Sequence, residues 1–291
     1  MRVALKSGTW AFERLYFRWR MSYAPRFGGY MVGARSSNVG VVAVDWYGIE
    51  SESRIKYAVV GCHVLWRELC YYASLAPHVY QFCFLKQGLH NTPDVLRQEL
   101  QAAIDRVEDD YTAVLVGYGL CSNGVVGIRA RNVKLVVMRG HDCITFLLGS
   151  KERYREYFDA HPGTYWYSPG WIDTSLQPGQ ERYERTLRHY IETYGEENAE
   201  YLMDASENWK QNYNNAAYVD LGFGDMERCK AFTRECAAWL GWNADFLQGD
   251  PKLVRDFLAG PWDEGRFLLV QPGEMIAASH DERVIAAVAA E

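Results

Sequence analysis

Three cysteines draw attention by where they stand. Cys62 closes the run YAVVGC, Cys121 follows AVLVGYGL, and Cys143 ends LVVMRGHDC. Each comes just after a short apolar, β-branched stretch that reads as a strand. In an open parallel sheet the loops at the carboxyl ends of the strands converge, and ligands collect there. If these strands are neighbours, three thiols face one cleft. Their separations of 59 and 22 residues match no compact zinc ribbon or ferredoxin signature, so the shared topological position carries the argument. Thiolates are soft ligands that favour iron–sulfur clusters or zinc over magnesium or calcium. Three protein ligands also leave one coordination position open for a small molecule. The expectation is an open metal site on Cys62, Cys121 and Cys143, iron–sulfur first and zinc as the alternative.

The flanking residues suggest further roles. Cys62 and Cys143 each precede a helix, whose positive dipole end lowers a thiol pKa. Gly117, Gly119 and Gly124 surround Cys121, and the loop GYGLCSNG offers Gly119 and Asn123 to a phosphate or carboxylate. It lacks the Lys-Ser/Thr ending of a phosphate loop. His141 and Asp142 stand beside Cys143, and two readings remain open for them. Either His141 is a fourth ligand or proton donor oriented by Asp142, or His141 bonds its own turn and Asp142 caps the next helix. Arg139 is a candidate for neutralising an anionic centre or substrate. The segment HPGTYWYSPGW (161–171) sets His161, Tyr165, Trp166, Tyr167 and Trp171 between two Pro-Gly turns, a plausible ligand wall. A metal-free alternative uses one thiolate as nucleophile and His141 as base. Cys70, Cys83, Cys229 and Cys236 fall inside expected helices or strands and are assigned to packing.

The elements that must position these residues alternate. Strands are expected at 57–60, 78–85, 113–116, 133–138, 165–167, 217–221, 244–247 and 267–270. Helices are expected at 64–73, from Pro93 to about 107, 143–158, 225–240 and 251–258, with a polar helical stretch over 178–213 broken near Gly195. Alternation of this kind requires crossover connections, hence parallel sheets covered on both faces. The expected class is α/β, a parallel Rossmann-like sheet or sheets with helices on both faces. The expected organisation is an N-terminal α/β lobe at 55–175, a helical segment at 176–216 and a C-terminal α/β lobe at 217–291. Residues 1–54 read as a basic N-terminal extension, with one strand possible over 39–47.

Composition narrows the partners. Formal net charge is −6 over 291 residues, so nothing global recommends nucleic acid or an anionic membrane. The charge is uneven, because residues 1–40 hold seven Lys/Arg and only Glu13, leaving 24 basic and 36 acidic side chains beyond. Seven cysteines with no apolar leader or membrane span suit a reducing, cytoplasmic setting where thiols stay free. Aromatic residues reach 14%, with 20 Tyr and 10 Trp, which suits the walls of a ligand cleft.

A set of linked segments is more specific than any single motif. They are GCHVLWREL (61–69), QGLHNTPDVLRQEL (87–100), LVGYGLCSNGVVGIRA (115–130), RGHDCITFLLGSKERY (139–154), HPGTYWYSPGW (161–171), YGEENAEYL (194–202) and GDPKLVRDFLAGPWD (249–263). Together they resemble an uncharacterised bacterial and archaeal family, domain of unknown function 1638, from roughly residue 55 to 275. The resemblance brings no activity. It implies that Cys62, Cys121, Cys143, His141 and Asp142 belong to family motifs. Members are often found near genes for corrinoid-dependent methyltransferases, which implies one-carbon, methyl or sulfur metabolism. It also implies, as the alternative, an accessory or binding module for corrinoid or methyltransferase proteins.

Overall fold

The short β-branched runs form strands because their side chains alternate between two buried faces. The computed structural model of the chain describes residues 55–290 and the backbone of Val41–Val42. The basic extension expected over residues 1–54 otherwise lies outside the described residues. Strands β1 (Val41–Val42), β2 (Lys56–Cys62), β3 (Val79–Leu85), β4 (Ala113–Gly117), β5 (Leu135–Met138) and β9 (Phe267–Val270) form one six-stranded sheet in the order β1-β3-β2-β4-β5-β9. The four central strands are parallel, while β1 and β9 pair antiparallel at the edges. Strands β6 (Thr164–Tyr167), β7 (Asn215–Asp220) and β8 (Asn243–Gln248) form a second, parallel sheet. The fold class is α/β with Rossmann-like crossovers.

Side chains along β2 divide cleanly. Ala58, Val60 and Cys62 join a core with Leu96, Leu100 and Ile104 of helix Pro93–Ile104. Tyr57 and Val59 join the opposite core with Leu65, Leu69 and Tyr72 around helix Trp66–Ser74. The chain therefore leaves β2 on one face, returns through β3, and crosses to β4 on the other. That reversal opens a crevice at the carboxyl ends of β2 and β4, the usual ligand position in such sheets. Cys62 ends one of these strands, and Cys121 follows the other.

Several elements differ from the sequence reading for identifiable reasons. The helix expected over 143–158 is two helices, Cys143–Leu148 and Lys151–Ala160. Gly149 closes the first with φ 88°, and the Ser150 hydroxyl accepts the Arg153 amide to open the second. The Pro-Gly turn at 169–170 begins a short helix, Pro169–Thr174. A terminal hairpin, β10 (Glu274–Ala278) with β11 (Ile285–Ala289), was not foreseen. Sheet membership also crosses the expected lobe boundaries, since β6 pairs with β7 and β9 returns to β5. Val219 and Leu221 of the small-sheet side pack into the same core as Leu69 and Phe146, so one apolar seam joins the two sheets.

Glu68 lies in that seam, 1% exposed, with Oε2 lacking a hydrogen-bond partner. Burial pushes its pKa up to about 7, and the nearby Asp173 and Asp220 add to the rise. A carboxyl raised in the fold destabilises it as pH climbs from its unfolded value toward 7, because only the unfolded chain then releases the proton freely. Glu68→Gln is therefore expected to be about 1 kcal/mol less stable than wild type at pH 4.5, where the buried amide keeps its own penalty against a neutral carboxyl, and about 2 kcal/mol more stable at pH 8, where wild type has lost about 3 kcal/mol. Urea titrations at the two pH values check this. A constant difference across pH would refute it.

Candidate functional site

Backbone pairing past the strand ends brings the cysteine loops together. Leu120 N donates to Gly140 O and Cys121 N to His141 O, both at 2.9 Å, zipping the loop after β4 to the loop after β5. Gly119 permits that approach, because a Cβ there would lie 2.8 Å from Gly140 O and 2.9 Å from Asp142 N. Beyond it, Cys121, Ser122 and Asn123 all take left-handed conformations, with φ of 46°, 57° and 65°. Each costs roughly 1–3 kcal/mol for a residue with a side chain. Glycine supplies the close approach here, while the left-handed backbone falls to Cys121 and its two successors.

The loops close around a cavity of about 500 Å³. Cys62, Cys121 and Cys143 all line it, together with Gly119. His141, Asp142, Tyr165, Trp166 and Trp171, all sequence candidates, line it too. Each thiol lies within reach of the others' charge. Burial pushes all three thiol pKa values up, and the neighbouring sulfurs raise Cys121 and Cys143 further. Desolvation thus outweighs the helix dipole that the sequence favoured, and the thiols stay protonated at neutral pH unless a cation compensates. Among the described residues no three His, Cys, Asp or Glu side chains are grouped as ligands of a single metal ion.

Two buried donors face the sulfurs. The Tyr118 hydroxyl and the Trp171 indole N–H have no hydrogen-bond partner. Tyr118 acts on Cys62 and Trp171 on Cys143, in each case favouring the thiolate. The Val64 amide does the same for Cys62. Buried donors without acceptors cost about 1–3 kcal/mol each, so an anionic sulfur beside them would recover that loss.

Asp142 is occupied. It accepts from Ile144 N at 3.0 Å and Thr145 N at 3.2 Å, capping the helix Cys143–Leu148, and from the Tyr154 hydroxyl at 3.0 Å. Of the two readings open for it, the cap is the one drawn by these bonds. Burial raises its pKa while the same hydrogen bonds hold it down. His141 is exposed at the rim.

Four sequence candidates lie elsewhere. Asn123 does not line the cavity, and its carbonyl accepts from Arg97 at 3.3 Å. His161 stacks on Tyr157 with ring centroids 4.2 Å apart. Tyr167 is fully buried, donating to Pro178 O at 3.0 Å. Arg139 is buried outside the cavity, its guanidinium donating to the carbonyls of Glu264, Phe267, Arg283 and Ile285. The expectation of an anion-binding Arg139 is corrected by these four bonds. Sequence reasoning missed His90, Tyr118 and Tyr213, which do line the cavity. His90 sits in a turn after β3, edge-on to Trp171 at 5.8 Å, with its pKa lowered by burial. Only its place after a strand end could have marked it.

The family model described as Protein of unknown function (DUF1638) matches residues 84–258, more than half of the 291 residues. The chain belongs to the DUF1638 family. In this DUF1638 protein the matched span includes Cys121, Cys143, His90, Tyr118 and the aromatic segment through Trp171, while Cys62 lies before it. No curated protein and no solved structure matches the chain. Among the described residues no helix is long and apolar enough to cross a membrane.

The aromatic wall depends on one close packing. A Cβ on Gly170 would lie 1.7 Å from Val64 O and 2.7 Å from Val64 C, so only glycine lets the helix Pro169–Thr174 rest on the turn after Cys62. Gly170→Ala is expected to cost about 3 kcal/mol through forced backbone displacement. That corresponds to a melting temperature lower by roughly 6–12 °C, with a shifted Trp171 fluorescence signal. An unchanged melting temperature would contradict this packing.

Proposed function

We propose that this DUF1638 protein holds a soft metal centre on the thiolates of Cys62, Cys121 and Cys143, and that it acts there on a small molecule. An iron–sulfur cluster is the preferred centre, with zinc as the alternative. The observation that carries the reading is that three cysteines distant in sequence line one cavity, with two buried donors, the Tyr118 hydroxyl and the Trp171 indole N–H, set against Cys62 and Cys143. Sulfur suits either metal. A cluster several ångströms across takes its cysteines from around its edge, so the thiols need not converge on one point as they must for a zinc ion.

The chain's own residues have defined tasks in this reading. The three sulfurs hold the centre, while the Tyr118 hydroxyl and Trp171 indole donate to sulfur and offset its charge. Asp142 fixes the start of the helix that carries Cys143. The centre itself would supply an open coordination position where a small molecule binds and is polarised. The cavity volume falls in the range of sites for small ligands, which favours a small-molecule substrate over a corrinoid accessory role. Raised thiol pKa values weigh against metal-free nucleophilic catalysis, because little thiolate would exist near neutral pH.

The test is analysis of iron, zinc and acid-labile sulfide in protein purified without oxygen. Brown protein with iron and sulfide is the expected result. Colourless protein with one zinc would move the reading to the alternative. Protein that retains no metal, fresh or after reconstitution, overturns both.

A further inference from the structure

One of the seven histidines differs from the others in what its ring nitrogens meet. His63, His141, His161, His189 and His280 are exposed to solvent. His78 is half-buried, and its Nε2 lies 3.2 Å from Ala259 O. His90 is half-buried as well, yet neither of its ring nitrogens has a hydrogen-bond partner among the described residues. Those nitrogens are not sealed in the core, and the residue lines the cavity of the three cysteines. Local structure holds it there. Gly88 turns the chain after β3 with φ 91°, Asn91 N donates to Gly88 O at 3.0 Å and Thr92 N to Leu89 O at 2.9 Å. Trp171 then meets the imidazole edge-on at 5.8 Å. An imidazole placed by its backbone and left without a partner is free to exchange a proton with a ligand.

The rest of the lining narrows what that ligand is. It includes no Lys or Arg, and its one carboxylate, Asp142, is committed to the helix cap and to Tyr154. An anion would meet no cationic side chain, so the ligand enters uncharged. An open coordination position beside three sulfurs favours a soft donor. The uncharged soft donor that becomes a strong ligand by losing a proton is a thiol, and its pKa of about 8.5 stands only about two units above that of imidazole. Burial keeps His90 in its neutral, proton-accepting form, while the charge of Asp142 pulls the other way. The other titratable groups of the lining are the three thiols, His141 and three tyrosine phenols. We propose that His90 is the proton acceptor of this cavity and that its ligand is a small uncharged thiol. The S–H bond breaks, the proton passes to a ring nitrogen of His90, and the sulfur electron pair goes to the open coordination position, with no change of oxidation state. This rests on the proposed function and names its substrate class and its base.

Counting protons tests this. The full chain, purified without oxygen, is titrated calorimetrically with 2-mercaptoethanol near neutral pH in phosphate and in Tris. The two buffers differ in ionisation enthalpy, so the difference in heat gives the protons released per thiol bound. Wild type is expected to release almost none, because His90 keeps the proton. His90→Gln is expected to release about one and to bind the thiol at least about tenfold more weakly. The thioether 2-(methylthio)ethanol has no S–H and should bind wild type and His90→Gln alike. A histidine that merely fills space would instead weaken both ligands together and leave the proton count unchanged. His90→Asn gives the same comparison should the Gln variant misfold. Release of about one proton by wild type overturns the inference, as does an equal count in wild type and variant. Metal content of the same samples separates the two claims. Metal-loaded protein that gives either of those results, or that binds no thiol, sinks this inference alone. Protein that takes up no metal sinks the proposed function, and the role of His90 falls with it.

Discussion

Replacing Cys121 by serine is expected to leave a folded protein that has lost its metal. The backbone of Cys121 is held independently of its side chain, through its N–H to His141 O at 2.9 Å and its carbonyl to Gly124 N at 3.0 Å. Serine fits the same left-handed conformation and nearly the same volume, so the change in stability of the metal-free chain should stay within about 1 kcal/mol. The ligand changes in kind. A serine hydroxyl is a hard donor that ionises far less readily than a thiol, and soft metal centres discriminate strongly against it. Iron and sulfide content in Cys121→Ser should fall to roughly a tenth of wild type or below under anaerobic purification. Cys70→Ser, altered at a partly buried cysteine on helix Trp66–Ser74 away from the cavity, should keep the full complement. Wild-type metal content in Cys121→Ser would remove the reason for treating the three thiols as one unit.

What could be read from the sequence follows the range of the forces involved. Strand and helix placement depends on local periodicity, so Phe267–Val270 was placed to the residue and Asp225–Leu240 to within one. The cysteine cleft was legible for a topological reason. Parallel strands joined by right-handed crossovers deliver all their carboxyl ends to one side, so three cysteines after three strands must share that side. A second sheet with strands near 217–221 and 244–247 was legible, but the strand that completes it was not. Nothing local records that Thr164–Tyr167 pairs with Asn215–Asp220 across the intervening helices.

Side-chain roles were readable only where a local rule applied. Asp142 stands one residue before a helix, and its cap was available as an alternative from that fact alone. Tyr118 gave no such sign, since its importance lies in a buried hydroxyl set against the Cys62 sulfur. The thiol pKa shifts illustrate the same limit. A helix dipole can be read from sequence order and pulls a thiol downward, whereas desolvation depends on every atom packed around the sulfur and here prevails. The aromatic wall lies between these cases. Its residues are contiguous in HPGTYWYSPGW, but Tyr167, on the same face of β6 as Tyr165, is wholly inside the core of the small sheet, and the cavity takes its remaining wall from Tyr213, just before the next strand.

Arg139 gives the second large effect and a sharp contrast between a substrate ligand and a structural tie. Next to Gly140 and His141 it looked suited to an anionic ligand, yet its guanidinium joins the end of β5 to the segment before β9 and to the terminal hairpin. Nε donates to Glu264 O at 2.8 Å and Phe267 O at 3.2 Å, while Nη1 donates to Arg283 O at 3.0 Å and to Ile285 O. Phe267 and Ile285 are fully buried, so water cannot readily replace those bonds. Arg139→Met keeps the aliphatic bulk and strands these carbonyls, which should cost about 3–5 kcal/mol. Arg139→Lys, able to satisfy part of the set, should lose less. Denaturant titration measures the total. Hydrogen exchange at Gly127 and Ile276, whose amides donate to Ile276 O and Ile128 O across the hairpin's contact with the main domain, should show the loosening locally. Below its melting range the Met variant should retain its metal, because the residue touches neither the sulfurs nor the aromatic wall. If Arg139→Met were instead as stable as wild type but unable to bind ligand, the sequence-derived role would be right and the four carbonyl contacts would have been misjudged.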